Sequence, residues 1–216
     1  MRWIREPFSG LSHLAGLGLS VAALAVLAVL AVLAAGNVWS VTGVAVYGAS
    51  LILLYLASTL YHSLRVPPHW ERRLQQFDHV GIYLLIAGTY APVCLTALRG
   101  GWGWSLLGVE YALAATGIGI TLLWKDAPHW VRMALYILMG WLAVIAVAPL
   151  AGSLSADAFA WLVAGGAVYS AGAVIFALDR PHLVPGRFSA HDLWHLFVLG
   201  GSICHFIVVL RSVGGA

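Results

Sequence analysis

"SAHDLWHLFVLGGSICHF", residues 189–206, sets two histidines four apart, His191 and His195, and adds a third, His205, in a run otherwise fit for lipid. A neutral imidazole is costly to bury without a partner, so the solvent around this run has to be settled first. The chain has 216 residues, 62% hydrophobic and only 9% charged, and its mean hydropathy is +0.92. Soluble domains carry about a quarter charged residues, and disordered chains combine low hydrophobicity with high charge; both classes are excluded. Ten tryptophans and eight tyrosines suit the aromatic belts of a membrane protein. The chain reads as an integral membrane protein. Its formal charge of +3 gives no sign of a nucleic-acid partner. Cys94 and Cys204 both fall in apolar runs, which speaks against a disulfide framework and for small apolar packing groups.

A membrane helix needs roughly 20 apolar residues, so interrupting charges mark the spans. From Pro7 to Leu64 there is no Asp, Glu, Lys or Arg. That is too long for one span, and Gly36-Asn37 supplies the break. The expected helices are about 9–35, 38–63, 74–98, 103–124, 130–149, 157–178 and 188–211, with a kink at Pro92 and an end near Pro149. This is an all-α fold, a single transmembrane bundle of seven helices over 1–216. The first apolar run, with small residues at Ala34-Ala35-Gly36, is much longer than a signal-peptide core and is expected to be a mature span.

Basic residues orient the bundle. Arg2, Arg5, Arg65, Arg72, Arg73, Lys125, Arg132, Arg180 and Arg187 fall on one side; Arg99 and Arg211 fall on the other. Nine against two places the N-terminus in the cytoplasm and the C-terminus outside.

Three helices then deliver polar groups to the cytoplasmic leaflet: Ser58 and His62 in the last turn of helix two, Asp78 early in helix three, and His191 with His195 one turn apart on helix seven. A shared ion would satisfy these rings. A His pair at this spacing suits one metal. A third imidazole from His62 completes a three-histidine set that leaves a fourth position for water, whose pKa zinc lowers towards about 7. Asp78 would orient that water or take its proton. Ser58, one turn from His62, would bond the water or a substrate carbonyl. Iron or manganese would suit the imidazoles less well. His79 points about 100° away from Asp78, His205 lies about 15 Å beyond His195 and is expected to pack through a hydrogen bond, and His69, His129 and His182 are expected to be solvated.

The blocks "EPFSGLSH" (6–13), "ASTLYHSL" (57–64), "FDHVGIYLLIAGTYAP" (77–92) and "HDLWHLFVLGGSICHF" (191–206), supported by "MGWLAVIAVAPL" (139–150), resemble the hemolysin III family, the bacterial branch of the progestin and adipoQ receptor proteins. The resemblance spans nearly the whole chain. It implies a seven-helix protein of the bacterial inner membrane with a cytoplasmic-side zinc site. Carried over residue by residue, it implies His62, His191 and His195 as ligands, Asp78 on the metal-bound water and Ser58 beside it. The wider group includes alkaline ceramidases, which implies hydrolysis of a lipid amide. One position departs: the family usually has asparagine where this chain has Ser9, which puts any positioning role there in doubt. Glu6, Ser9 and His13 share one helical face, and Glu6 with His13 forms either a set of groups supporting the metal ligands or a feature of the helix start.

The expected activity is therefore hydrolysis of a membrane lipid amide or ester. Its rivals are a cytolytic or membrane-modulating protein and a receptor with a structural zinc. Glu110, inside helix four, is either reached by water or protonated, with no assigned role. An alkaline phosphatase fused after Ala216 is expected to be active outside the cytoplasm; activity only inside would overturn the orientation.

Overall fold

A computed structural model describes residues 4–124, 126–181, 184 and 188–214. Arg2, Lys125, His182 and Arg187 lie outside the described residues. Among the described residues seven helices are long and apolar enough to cross a membrane, and the chain is a multi-pass membrane protein. Helix α1 is Pro7–Leu30, prolonged by a π turn at Ala31–Ala35. It is followed by α2 at Val38–Ser63, α3 at Pro68–Leu95 and α4 at Gly101–Leu123. Helix α5 spans His129–Ser153 with an interruption, α6 is Ala156–Leu178 and α7 is Ala190–Gly214. Among the described residues the only β pairing is an isolated bridge between Val184 and Phe188.

Local chemistry sets the breaks. Pro7 opens α1 at a position whose N–H has no helical partner anyway. Gly36 takes a left-handed φ of 56° to end it. Asn37 then caps α2, its side-chain oxygen accepting from Trp39 N and Ser40 N at 3.0 Å each. Leu19, Val29, Leu33 and Val163 face outward, as lipid contact requires. Trp102 and Trp104 are exposed at one end of the bundle and Trp70, Trp124 and Trp130 at the other, in the manner of two aromatic belts.

Two helices differ from their expected bounds. Helix α3 starts at Pro68 rather than near 74, because the proline pair initiates a helix whose first turns, His69 to Gln76, are polar. Apolarity marks lipid contact, not helix onset. Helix α5 does not stop near Pro149. It runs as His129–Trp141, a 3₁₀ segment Leu142–Ala146 and Val147–Ser153. The cause lies on α3. The Tyr90 hydroxyl donates to Met139 O at 2.8 Å and accepts from Ala143 N at 3.0 Å, so it stands where the backbone bond between those two residues would be. The ladder restarts beyond it, and Pro149 falls in the new first turn, where its missing N–H costs nothing.

The densest packing joins α2 to α3, through small residues that let the backbones close up. A Cβ on Gly43 would lie 2.8 Å from the Pro92 Cα, and one on Gly81 would lie 3.0 Å from the Leu54 Cα. Gly108 has open space instead. Gly43→Ala is expected to lower the apparent Tm of purified protein by several degrees, since overpacking against backbone costs about 1–3 kcal/mol. Gly108→Ala should leave Tm unchanged or raise it. Equal Tm values for the two variants would overturn the close approach.

Candidate metal centre

The site is built where α2 ends and α3 and α7 begin. His62 in the last turn of α2 and His195 in α7 are 1% and 2% exposed. Each of His62, His191 and His195 offers a ligand atom, and these atoms lie within 4.8 Å of one another. Ring centroids are 4.6 Å apart for His62 and His195, 5.0 Å for His191 and His195, and 5.1 Å for His62 and His191. Asp78 is not part of this trio, but its Oδ2 approaches His62 Nε2 at 3.8 Å. Ser58 is buried and borders the same cavity as Asp78, His191 and His195. All five residues singled out from the sequence therefore meet at one end of the bundle.

The donor set fits a metal ion. The Glu6 carboxylate receives a hydrogen bond from His62 Nδ1. A carboxylate can only accept, so Nδ1 carries the hydrogen and Nε2 keeps its lone pair for an ion; carboxylate partners commonly orient metal-binding histidines this way. The bond to His62, working against partial burial, holds the Glu6 carboxyl below the usual carboxylate range. His195 Nδ1 is buried with no hydrogen-bond partner among the described residues. Three imidazoles gathered in apolar surroundings, with free nitrogens, form a ligand set of the kind that holds a transition metal.

Helix α1 braces this cluster. The Glu6 N–H donates to His62 O at 2.9 Å and Arg5 N–H to Ser63 O at 3.3 Å, tying the start of α1 to the end of α2. Ser9 Oγ donates to Asp192 Oδ1 at 2.8 Å, so the hydroxyl standing in the usual asparagine's place links α1 to α7. The His13 ring lies 3.9 Å from that of His195, and both its nitrogens are buried without hydrogen-bond partners among the described residues. The three residues expected on one face thus touch three different parts of the site.

Two contributors, Asp192 and Arg5, were not anticipated. Asp192 accepts from Ser189 N and Ser189 Oγ at 2.9 Å each, while its own N–H donates to Ser189 Oγ at 3.2 Å. This reciprocal cap fixes the turn that aims His191, and its trace was the Ser189-x-x-Asp192 spacing. Arg5 bridges Glu6 and Glu71 at 3.3 and 2.7 Å and covers the Tyr61 ring; no short motif marks that pairing. His129, expected to be simply solvated, begins α5 and sets its ring 5.7 Å from Phe176. His205 bonds Gly201 O through Nδ1, away from the trio. Glu110 is fully buried with both carboxyl oxygens unpartnered among the described residues.

Two hollows meet at the trio. A vestibule of about 710 Å³ is bordered by Arg5, Glu6, Gln75, Arg132 and Asp192. A narrower, mostly apolar cavity of about 200 Å³ continues inward past Leu54, Leu85, Ile86, Met133 and Val198. Asp78, His79, His129, Arg132, Phe176 and His191 border both.

A family model described as "Haemolysin-III related" matches residues 1–206. The chain is 41% identical over 208 residues to "Hemolysin-3" of Bacillus cereus, covering 96% of this chain and 91% of that protein. It is 38% identical over 207 residues to the "Hemolysin-3 homolog" of Bacillus subtilis (strain 168), covering 95% and 92%. Human "Monocyte to macrophage differentiation factor" is 26% identical over 179 residues, covering 81% of this chain and 72% of its own length.

Elemental analysis of purified protein is expected to find one metal ion per chain, lost in His191→Ala and His195→Ala. Glu6→Gln should weaken metal affinity about 10- to 100-fold, as removal of a residue that orients a ligand does. Full metal content in the triple His variant would place the ion elsewhere.

Proposed function

The chain belongs to the haemolysin-III-related family, and from that premise we propose that it is a zinc-dependent hydrolase of a membrane lipid whose carbonyl lies near headgroup level on the cytoplasmic side. The observation that carries this reading is the position of the histidine trio. It lies at the junction of a polar vestibule and an apolar cavity, with Asp78 and Ser58 at its flank. Zinc is the metal that suits three imidazoles with an open fourth position, and it supplies Lewis-acid activation of water or of a carbonyl.

The chain's own residues divide the remaining work. The apolar cavity takes the acyl tail, and the vestibule takes the headgroup. Helices α5 and α6 touch sparsely, which leaves a lateral way in from the lipid. Asp78 removes a proton from the attacking water as its oxygen bonds the acyl carbon. It returns that proton to the amine or alcohol as the carbon–nitrogen or carbon–oxygen bond breaks. Ser58 donates to the developing oxyanion, a contribution of about 3 kcal/mol for one donor. Glu6 holds His62 in the ligating tautomer. An amide substrate follows from the likeness to ceramidases; an ester is chemically no harder.

A second reading has one observation in its favour, the printed name of the Bacillus cereus relative. In that reading the protein lyses membranes and the metal serves only the fold. Purified protein is to be incubated with ceramides and with inner-leaflet lipid extract, and free fatty acid followed by mass spectrometry. Wild type is expected to release fatty acid. Asp78→Asn should keep its zinc and lose at least about 100-fold in rate, the lower end for a general acid–base. Equal release by the two proteins would end the hydrolase reading. Dye leakage from vesicles without any lipid product would favour the lytic one.

A further inference from the structure

The inner end of the apolar cavity is not uniformly apolar. Thr89, Tyr90, Trp141, Tyr169, Ser170 and His205 border it there. On α7, His205 lies ten residues beyond His195, about 15 Å along the helix. Most of these groups have already committed their protons. Thr89 Oγ donates to Leu85 O at 2.7 Å, Tyr90 to Met139 O at 2.8 Å and Ser170 Oγ to Gly166 O at 2.7 Å. Trp141 Nε1 donates to Ser170 Oγ at 3.2 Å. The Tyr169 hydroxyl shares a hydrogen bond with Ser202 Oγ at 2.9 Å, in which either oxygen can be the donor, and Ser202 Oγ accepts from Tyr55 at 2.8 Å.

His205 is the exception. Its Nδ1 lies 2.9 Å from Gly201 O. A carbonyl only accepts, so Nδ1 carries the ring hydrogen, and in the neutral ring Nε2 is left with a lone pair. The Nδ1 and Cε1 edge lies against Gly165 of α6, where an added Cβ would come within 2.5 Å of both atoms. Nε2 makes no hydrogen bond among the described residues, and His205 borders the cavity. An aromatic nitrogen is a stronger acceptor than the hydroxyl oxygens around it. In apolar walls such a group selects a ligand able to give it a hydrogen.

We propose that His205 Nε2 is the recognition point for a hydroxyl group on the acyl chain, about 15 Å from the carbonyl that reacts at the histidine trio. The ligand class is a hydroxylated long-chain lipid. The inference rests on the lipid-hydrolase reading and adds to it the kind of chain the site selects. The polar hydroxyl, costly to bury in hydrocarbon, meets a fixed acceptor. A plain methylene at the same depth leaves Nε2 unpaired.

Binding of product-like fatty acids to zinc-loaded protein in lipid nanodiscs tests this without requiring turnover. Three acids would each displace a fluorescent fatty acid: stearate, a hydroxystearate with its hydroxyl near mid-chain, and one with its hydroxyl next to the carboxylate. Wild type is expected to bind the mid-chain hydroxy acid at least threefold more tightly than the other two, the lower range for one net hydrogen bond. His205→Phe should bind stearate as before and show no preference. His205→Gln, which keeps an acceptor oxygen, should retain part of it. Equal binding of all three acids by wild type overturns the inference and leaves the hydrolase reading standing. A preference that survives in His205→Phe also overturns it. If none of the acids binds, the lipid reading falls and this inference falls with it.

Discussion

Inside a bilayer a polar group has little water to bond, so an imidazole, hydroxyl or carboxyl draws its partners from the protein; Glu110 and His13 are among those left without one among the described residues. That constraint organises this molecule more than any apolar contact does. Apolar side chains gain little from helix association in lipid, where the surroundings are as apolar as the neighbour. What the helices can offer each other is satisfaction of polar atoms. The start of α1 lies against the end of α2 because Glu6 and Arg5 have backbone and side-chain partners there. Helix α7 is anchored to α1 by Ser9 and Asp192, and to α2 and α6 through the hydroxyls that converge on Ser202. The histidine trio belongs to the same account: three rings brought together, each with a nitrogen that an ion can use.

Much of this was legible in the sequence. Seven spans followed from the distance between charges, and the depth of His62, Asp78, His191 and His195 followed from counting residues along them. Depth alone was enough to assemble the trio, because a short stretch at one end of three helices leaves little freedom. Rotation about each helix was not legible. The Tyr55, Tyr169 and Ser202 group could not be foreseen, since which face of α2 meets α6 and α7 depends on packing that no single helix encodes. The start of α3 was placed late because the reading tracked apolarity, while Pro67 and Pro68 were the true signal. The continuation past Pro149 was hidden for a different reason. A proline forbids a helix interior but is welcome in a first turn, and only the break created by Tyr90 makes that position a first turn.

Asp192 shows how close to legible a missed residue can be. It lies between the two histidines that drew attention first, and its spacing from Ser189 is a capping pattern. In the structure its second oxygen reaches Ser9, so one carboxylate both closes the first turn of α7 and sets the distance between α7 and α1. A helix terminus and a helix–helix contact are made by the same atom pair. The aim of His191 and His195 depends on both.

The hydroxyl of Tyr90 has a mechanical meaning beyond the shape of α5. By standing between Met139 O and Ala143 N it divides one transmembrane segment into two rods joined by a short 3₁₀ segment. The rod that carries His129 and Arg132 borders the vestibule; the link and the rod beyond it pack Ala146 and Leu150 into the core with α3 and α4. A tilt of the first rod need not disturb the second. The wall of the cavity nearest the sparse α5–α6 seam is thereby carried on a rod whose own hold on α3 and α4 runs through Tyr136 and Met139.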